Sequence, residues 1–492
     1  MSLIQADKLT FSYPGSPDLV FENASFQIDS NWRLGLIGRN GRGKTTLLRL
    51  LMGEYPCGGR LISSLPFSYF PRPVPHPERM TAEILEELCP DAESWRFPKE
   101  LSLLGVGEEA LWRPFSTLSN GERTKALLAA MFLQEGRFPL IDEPTNHLDT
   151  QGRELAAAYL KRQRGFILVS HDRRFLDGCV DHILSLNRAD IQVQSGNYSS
   201  WKENFDRQQQ FEEAKNDRLQ KDVRRLRQAA QRTSVWSDRV EASKIGALDK
   251  GFVGHKSAKM MKRAKSLAAR QEKALEEKAG LLKNRETTEA LKLSPLSHHA
   301  RQLVSCTELE LWDGERQVCG PVSFTVERGS RVALEGRNGS GKSSLLKLLL
   351  GRDIRYKGTL TLASGLKVSY VPQDTSFLEG SLTDFIQQRG IDVSLFKAIL
   401  RKLGFSREQF ERDLADYSGG QKKKVLIAGS LCEQAHLYVW DEPLNFIDLD
   451  SRIQIEELLL RFAGQTDFGL SMLFVEHDRA FQEAVASKVI RL

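Results

Sequence analysis

Apolar residues between positions 199 and 287 recur at the spacing of an α-helix. A first stripe comprises Leu219, Val223, Leu226 and Ala230, and a second comprises Met261, Ala264, Ala268, Leu275 and Leu282. A glycine-containing break separates the stripes, and neither arm contains proline. The pattern predicts a long antiparallel helical hairpin, whose arms of about 38 residues would each reach about 57 Å. A flexible charged linker is the alternative.

Outside this segment the pattern is typical of α/β domains. Apolar runs end in paired acids at "LIDE" (Leu140–Glu143) and "VWDE" (Val439–Glu442), as expected of buried parallel strands. Two glycine-rich motifs each follow a short apolar run and precede a helical one. We therefore expect an α/β fold on both sides of the hairpin.

The two sides are copies of each other. Four motifs recur in the same order: "GLIGRNGRGKTTLLRLL" as "ALEGRNGSGKSSLLKLL", "LSNGERTKALLA" as "YSGGQKKKVLIA", "FPLIDEPTNHLD" as "LYVWDEPLNFID", and "ILVSHDRRF" as "LFVEHDRAF". The intervals are 81 residues from Gly38 to Ser119, 82 from Gly336 to Ser418, 104 from Gly38 to Asp142 and 105 from Gly336 to Asp441. Such agreement predicts a duplicated domain. We expect a first copy at 1–198, a helical linker at 199–300 with its tip at about 237–258, and a second copy at 301–492.

Charge is concentrated in the linker. Residues 200–286 contain 22 Lys and Arg against 13 Asp and Glu, in a chain of 492 residues with a net charge of +6. A polyanionic partner is therefore expected there. The six cysteines are scattered without a C-x-x-C pair, which is typical of reduced thiols rather than a metal site. No secretory signal pattern and no apolar run of 18 residues is present, so we expect a cytoplasmic protein without a membrane domain.

The glycine-rich motifs are phosphate loops. Gly38–Thr45 and Gly336–Ser343 both match G-x-x-x-x-G-K-[ST]. Their glycines let backbone N–H groups converge on phosphate oxygens at a helix N-terminus, where the helix dipole favours anions. The expected roles are phosphate contact by Lys44 and Lys342, and a hydroxyl placed on Mg²⁺ by Thr45 and Ser343.

The acid pairs and the "HD" motifs complete the chemistry. We expect Asp142 and Asp441 to hold hydrated Mg²⁺, Glu143 and Glu442 to orient the attacking water and accept its proton, and His171 and His477 to grip the γ-phosphate. A lone histidine in such a place is more often a core or capping residue. Its repetition in both copies favours the functional interpretation.

Together with these motifs, "LSNGE" and "YSGGQ" make the chain resemble the ATP-binding-cassette (ABC) superfamily. The resemblance implies two tandem ABC-type nucleotide-binding domains paired head to tail within one monomer, so that each ATP lies between one phosphate loop and the other copy's signature. The implied signature residues are Ser119, Asn120, Gly121, Glu122, Ser418, Gly419, Gly420 and Gln421. The implied ATP-binding residues are Tyr13, Gly38, Arg39, Asn40, Gly41, Arg42, Gly43, Lys44, Thr45, Thr46, Trp312, Gly336, Arg337, Asn338, Gly339, Ser340, Gly341, Lys342, Ser343 and Ser344. The implied Mg²⁺ ligands are Thr45, Asp142, Ser343, Gln373 and Asp441.

Three features qualify the resemblance. Tyr13 and Trp312 match the family's adenine-stacking aromatic, although an aromatic core residue on a strand is the alternative. The first copy has Arg72 where the second has Gln373, and arginine can neither accept a hydrogen bond nor ligate Mg²⁺. In the second copy "EPLNFID" replaces "EPTNHLD", with apolar Leu444 and Phe446. We therefore expect the two ATP sites to be unequal.

Tandem cassettes joined by a basic helical hairpin resemble the ABC-F family of ribosome-binding ATPases, and within it the Lsa-type antibiotic-resistance proteins. This resemblance implies a partner, the bacterial 70S ribosome, with contacts to 23S rRNA near the peptidyl transferase centre and to E-site and P-site tRNA. It implies displacement of lincosamides, streptogramin A and pleuromutilins by the linker, and release on ATP hydrolysis. The expected contact residues at and beside the tip are Lys244, Ile245, Leu248, Phe252, Val253, Lys256, Lys259, Lys262 and Arg263.

Other functions are open. A housekeeping ABC-F translation factor without a drug role shares the whole motif set. A transporter's ATPase subunit is disfavoured by the fused copies and the basic hairpin. DNA-repair cassette ATPases place a coiled coil inside one cassette, whereas here it lies between two complete ones.

Overall fold

The computed structural model describes residues 3–14, 19–38, 40–186, 191–208, 210–211, 214, 218, 221, 295–465 and 469–492. The chain divides into two compact units, one formed by Met1–Trp201 with Ala290–Leu492 and the other by Lys202–Glu289. In the second unit residues 202–208 are helical, and Lys202 pairs with Asp206 at 2.7 Å, one helical turn away. Both apolar stripes and the tip predicted for the hairpin lie outside the described residues.

The first copy has nine strands and six α-helices among its described residues. They are β1 (Leu3–Ser12), β2 (Leu19–Asp29), β3 (Arg33–Ile37), α1 (Lys44–Leu51), β4 (Gly58–Ser63), β5 (Phe67–Phe70), α2 (Thr81–Leu88), α3 (Arg96–Leu103), α4 (Asn120–Leu133), β6 (Phe138–Asp142), α5 (Thr150–Arg162), β7 (Phe166–Val169), α6 (Arg173–Cys179), β8 (His182–Leu186) and β9 (Ile191–Ser195).

The second copy repeats this order as far as β8, and its described residues contain no counterpart of β9. Its elements are β10 (Gln302–Asp313), β11 (Arg316–Glu327), β12 (Arg331–Glu335), α7 (Lys342–Leu349), β13 (Arg355–Leu362), β14 (Val368–Val371), α8 (Leu382–Arg389), α9 (Val393–Lys402), α10 (Gly419–Cys432), β15 (Leu437–Asp441), α11 (Leu449–Gln465), β16 (Met472–Val475), α12 (Arg479–Val485) and β17 (Lys488–Arg491).

Each copy combines a largely parallel sheet with a small antiparallel one. The main sheets have the strand orders β5-β6-β7-β3-β8-β9 and β14-β15-β16-β12-β17, and all pairs are parallel except β8 with β9. The antiparallel sheets have the orders β2-β1-β4 and β11-β10-β13. The predicted α/β fold, present twice, is confirmed. The carboxyl ends of the central strands place the functional motifs at one edge of each main sheet.

The central strands are buried because helices or the antiparallel sheet cover both of their faces. Every residue of β6 and β15 is buried, which accounts for the unbroken apolar runs before the acid pairs. The cores of the two copies also meet, since Leu449 at the start of α11 belongs to an apolar cluster otherwise formed by the first copy. Among the described helices, none combines the length and apolarity that a membrane crossing requires.

Candidate nucleotide sites

The phosphate loops fold as their glycines predict. Gly43 and Gly341 immediately precede α1 and α7 with φ of 87° and 85°, a left-handed conformation that favours glycine. A β-carbon on Gly43 would also lie 2.6 Å from Val20. Each loop wraps around its own lysine, because Lys44 Nζ donates to Gly38 O at 2.7 Å and Lys342 Nζ donates to Gly336 O at 2.8 Å. Burial lowers the pKa of both lysines.

The hydroxyl after each lysine meets the first acid of the pair. Thr45 Oγ1 donates to Asp142 Oδ2 at 2.8 Å, and Ser343 Oγ donates to Asp441 Oδ1 at 3.2 Å. Tyr69 OH, from β5, also donates to Asp142 Oδ2, at 3.0 Å. Hydroxyl and carboxylate oxygens held this closely are the hard donors that Mg²⁺ prefers, so the residues fit the ion.

The second acid of each pair faces the histidine. The distance from His171 Nε2 to Glu143 Oε1 is 3.2 Å, and that from His477 Nε2 to Glu442 Oε1 is 3.6 Å. Burial, and then the charges of Lys44 and Arg452, lower the pKa of His171 well below its usual range. Its imidazole is therefore neutral near pH 7, and the second acid lies close to the histidine in both copies.

The signature motifs form the first turns of α4 and α10. Ser119 and Ser418 cap these helices by accepting from the N–H groups of Glu122 and Gln421 at 3.2 and 3.3 Å. Glu122 and Gln421 return a bond to the backbone N–H of the capping serine, so both motifs form capping boxes. The fifth residue of each signature thus acts within its own helix.

The two copies meet through their phosphate loops. Asn40 Nδ2 donates to Phe446 O at 3.2 Å, and Asn338 Nδ2 donates to His147 O at 3.3 Å. A β-carbon on Gly420 would lie 3.3 Å from Asn40 Nδ2, so the second signature lies against the first phosphate loop. Each loop therefore lies against residues of the other copy.

Two cavities result. Site 1 has a volume of 320 Å³ and is lined by Asn40, Gly41, Gly43, Lys44, Thr45, Thr46, Asp142, Glu143, Asn146, Val169, His171 and Phe446. Site 2 has a volume of 380 Å³ and is lined by Asn120, Asn146, His147, Leu148, Val318, Asn338, Gly339, Gly341, Lys342, Ser343, Ser344, Gln373, Glu442 and His477. Each cavity brings together predicted residues of one copy and residues of the other.

The sites differ at their second acid. Glu442 Oε2 accepts from Gln373 Nε2 at 2.8 Å and from Asn445 Nδ2 at 2.6 Å. Burial favours a higher pKa for Glu442, but His477 and these two hydrogen bonds outweigh it, and the pKa is lowered. Burial, followed by the charge of Asp142, instead raises the pKa of Glu143 to about 8.

Arg72 does not take over the role of Gln373. It lines a separate, largely apolar groove with Phe70, Pro71 and Met131, whereas Gln373 lines site 2. The described lining of site 1 therefore contains no side chain that matches Gln373.

The candidate adenine aromatics behave differently. Tyr13 is exposed, and its hydroxyl lies 2.7 Å from Thr46 Oγ1 of the phosphate-loop helix. The ring of Trp312 instead faces the ammonium of Lys357, at 5.1 Å from the ring centroid. Arg39 and the predicted contact residues Lys244, Ile245, Leu248, Phe252, Val253, Lys256, Lys259, Lys262 and Arg263 lie outside the described residues.

Ion pairs between the copies were not foreseen from the sequence. Arg173 of α6 pairs with Glu456 of α11 at 2.6 Å, and both side chains are largely buried. Further cross-copy pairs join Arg174 to Glu483 and Arg479 to Glu154. The arginines after each "HD" motif were visible in "HDRRF" and "HDRAF", but their partners come from distant helices.

Comparison with known proteins shows the family and the fold of the chain. The ABC transporter family model matches residues 21–146 and 319–445. Ribosome protection protein VmlR of Bacillus subtilis (strain 168) is 28% identical over 483 residues, covering 96% of this chain and 84% of that protein. Energy-dependent translational throttle protein EttA of Escherichia coli (strain K12) is 25% identical over 524 residues, covering 96% and 89%. A crystal structure of the archaeal ribosomal stalk protein aP1 with the ribosome recycling factor aABCE1 shares the fold, with a TM-score of 0.65, 18% identity and coverage of 98% and 87%.

A parallel sheet with a phosphate loop, an acid pair, a histidine and a capped signature helix defines an ATP-binding-cassette ATPase, here present twice. The chain belongs to the ABC transporter family, whose model spans more than half of it. Within that family it belongs to the ABC-F group, since it is 30% identical over 493 residues to ATP-binding protein Uup of Caulobacter vibrioides, covering 96% of this chain and 74% of that protein. Members of the family bind and hydrolyse ATP, and the chain is therefore an ATPase.

Proposed function

We propose that this chain is a ribosome-binding ATPase that protects bacterial ribosomes from antibiotics. The observation that supports this most directly is its similarity to Ribosome protection protein VmlR over 96% of the chain. The excess of basic residues at 200–286 suits a partner made of RNA. The proposed contacts are 23S rRNA near the peptidyl transferase centre and the E-site and P-site tRNAs, in the cytoplasm. The proposed drug classes are lincosamides, streptogramin A and pleuromutilins.

ATP is proposed to bind in two composite sites. Site 1 would join the first phosphate loop to Ser418, Gly419 and Gly420, and site 2 would join the second loop to Ser119, Asn120 and Gly121. The cross-copy bonds from Asn40 to Phe446 and from Asn338 to His147 support this pairing. Backbone N–H groups of each loop would receive the phosphates, together with Lys44 or Lys342.

Mg²⁺ would be held by Thr45 and Asp142 in site 1, and by Ser343, Asp441 and Gln373 in site 2. When bound, the ion neutralises charge on the phosphate oxygens. These residues already cluster through the Thr45–Asp142 and Ser343–Asp441 hydrogen bonds, which supports the assignment.

We infer the hydrolysis step from the geometry around the second acid of each acid pair. Glu442 would accept a proton from a water that attacks the γ-phosphorus, the bond to the β-γ bridging oxygen would break, and ADP and phosphate would leave. His477 would donate a hydrogen bond to the γ-phosphate. Glu143 and His171 would do the same in site 1, but without a residue matching Gln373.

The cycle couples these sites to the linker. ATP between the copies would favour the closed arrangement that the interface supports, and hydrolysis would remove the contacts to the γ-phosphate and release the protein. The linker would enter the ribosome towards the drug site while the copies are closed. A housekeeping role in translation without a drug is the second candidate, supported by the similarity to the translational throttle protein EttA.

A susceptibility test separates these candidates. We expect a sensitive bacterium that expresses the wild-type chain to tolerate more lincosamide, streptogramin A and pleuromutilin, with no change for a drug of the small subunit. The matched control is Glu143→Gln/Glu442→Gln, which should not protect and should remain on ribosomes with ATP. Unchanged susceptibility together with ATP-dependent ribosome binding would favour the housekeeping role. Failure of the double variant to co-sediment with ribosomes would contradict both candidates.

A further inference from the structure

Lys423, in the signature helix α10, is buried and makes an unusual set of bonds. Its side chain is 1% exposed. Its Nζ donates to Pro372 O at 2.7 Å, to Glu442 O at 3.1 Å and to Asp441 O at 3.4 Å. An ammonium has three donors, and all three have a backbone carbonyl within reach. A buried lysine satisfied in this way holds its neighbours in a defined arrangement.

The three carbonyls belong to the working parts of site 2. Pro372 immediately precedes Gln373, which hydrogen-bonds to the carboxylate of Glu442. Asp441 ends β15, and Glu442 directly follows it to complete the acid pair. One ammonium therefore ties the loop that carries Gln373 to the strand end that carries the proposed base.

The helix that carries Lys423 serves the other site. The N-terminus of α10 is capped by Ser418, and Gly420 lies against Asn40 of the first phosphate loop. Lys423 follows Gly420 within one helical turn. Because a helical turn is stiff, a shift of the site 2 carbonyls displaces the groups that face site 1.

Among the described residues, the matching position of the first copy does not make this connection. Thr124 occupies the matching position in α4, and its hydroxyl is attached directly to Cβ, without the long methylene chain of lysine. The copies also differ at the residue before the histidine, which is Ser170 in the first copy and the buried Glu476 in the second. Glu476 accepts from the N–H groups of His477 at 2.8 Å and Leu444 at 3.1 Å.

We propose that Lys423 is a positioning residue that couples the two ATP sites, by tying the signature helix of site 1 to the acid pair and Gln373 loop of site 2. This inference rests on the composite sites proposed above. In the first copy, the short side chain of Thr124 does not tie the signature helix that faces site 2 to the acid pair of site 1. Occupation of site 2 thus changes the affinity of site 1 through α10.

Nucleotide binding tests the coupling without hydrolysis. The parent chain is Glu143→Gln/Glu442→Gln, and the probe is a fluorescent ATP analogue with Mg²⁺. The affinity of site 1 is measured with site 2 intact and with site 2 disabled by Lys342→Ala, and the ratio is the coupling factor. We expect a factor within the usual range of about 5- to 150-fold in the parent, and a factor close to one after Lys423→Met.

Two further variants distinguish a loss of coupling from misfolding. Lys423→Thr/Glu476→Ser reproduces the pair that the first copy already contains, and it should also bring the factor close to one. Lys422→Met is the matched control, since Lys422 lies on the same helix but donates to Leu378 O at 3.3 Å, and it should keep the parent's factor. A coupling factor that is the same in the parent and in both Lys423 variants, or a parent without coupling, would overturn the proposal.

A separate variant distinguishes this failure from failure of the composite sites. Ser418→Arg places a bulky side chain at the start of α10, where site 1 would contact the second signature. If site 1 is composite, its affinity should fall strongly in this variant. An unchanged affinity would reject the composite site itself, whereas a loss with unaltered coupling in the Lys423 variants would reject only the role of Lys423.

Discussion

Gln373 Nε2 donates a hydrogen bond to Glu442 Oε2 at 2.8 Å, and Arg72, at the matching position of the first copy, lines a different groove. The bond holds one carboxylate oxygen of Glu442 in place. No described side chain in site 1 matches Gln373, and the pKa of Glu143 is raised. Site 2 is therefore the better prepared of the two for proton transfer.

Replacing the bases should have unequal effects. Glu442→Gln should remove most of the steady-state ATPase activity, because loss of a general base slows its own site by about 10²–10⁴-fold. Glu143→Gln should remove the smaller share. Phosphate release assays on both single variants measure this, and equal losses would show that the sites contribute equally.

Gln373 itself should matter for kcat. In a Glu143→Gln background, which leaves site 2 as the active site, Gln373→Ala should lower kcat by about tenfold or more, because a hydrogen bond to a charged group contributes about 1.5–3 kcal/mol. Arg72→Ala is the matched control and should leave site 2 turnover unchanged. A similar kcat for the two variants would argue against an orienting role.

The Arg173–Glu456 pair should support closure. Glu456→Arg places two cations together at a largely buried contact, so the ATP concentration needed for half-maximal activity should rise. Arg173→Glu/Glu456→Arg restores opposite charges and should recover much of the loss, since residues in one ion pair couple by about 0.5–3 kcal/mol. Additive losses in the double variant would mean that the pair does not act as a unit.

Buried and exposed ion pairs should contribute differently to the unfolding free energy of the protein. Arg452 pairs with Asp478 at 3.0 Å, with side chains 7% and 1% exposed. Asp478→Ala leaves a buried arginine charge unpaired and should cost about 3–5 kcal/mol of unfolding free energy. Glu135→Ala breaks the exposed pair with Arg96 and should cost about 0–1 kcal/mol. Urea midpoints of the two variants make the comparison, and similar midpoints would contradict it.

Acid should weaken one buried contact within the second copy. Lys424 Nζ donates to Asp448 Oδ2 at 2.8 Å; burial opposes ionisation of Asp448, but Lys424 outweighs it and the pKa is lowered. A carboxyl whose folded pKa lies below its unfolded value of about 3.9 stabilises the fold above that pH, and the stabilisation is lost as the pH falls towards the folded value. The stability difference between wild type and Asp448→Asn should therefore narrow below about pH 4 in thermal scans. A difference independent of pH would contradict this assignment.

The sequence was sufficient for the parts of the fold that repeat. Phosphate loops, acid pairs and signatures have their chemistry encoded in local spacing, so Lys44 and Asp142 could be placed before the structure was known. The contacts of Asn445 and Lys423 could not, because they depend on which carbonyl or carboxylate a side chain reaches after folding. The three consecutive lysines in "GGQKKKV" were a visible signal, but alternation of exposure along a helix does not predict that Lys423 and Lys424 are buried while Lys422 is only partly so.

Separation of the two copies is energetically uneven because of Leu449. This leucine lies in the first copy's apolar cluster, three residues after Phe446 of the site 1 lining, whereas the matching Thr150 lines a cavity of 370 Å³ together with Arg153, Glu154 and His477. Withdrawing a buried leucine into water costs about 1.5–3 kcal/mol, and threonine has no comparable cost. Separating the copies at Leu449 therefore exposes more apolar surface than separating them at Thr150, and this cost opposes opening on the Leu449 side.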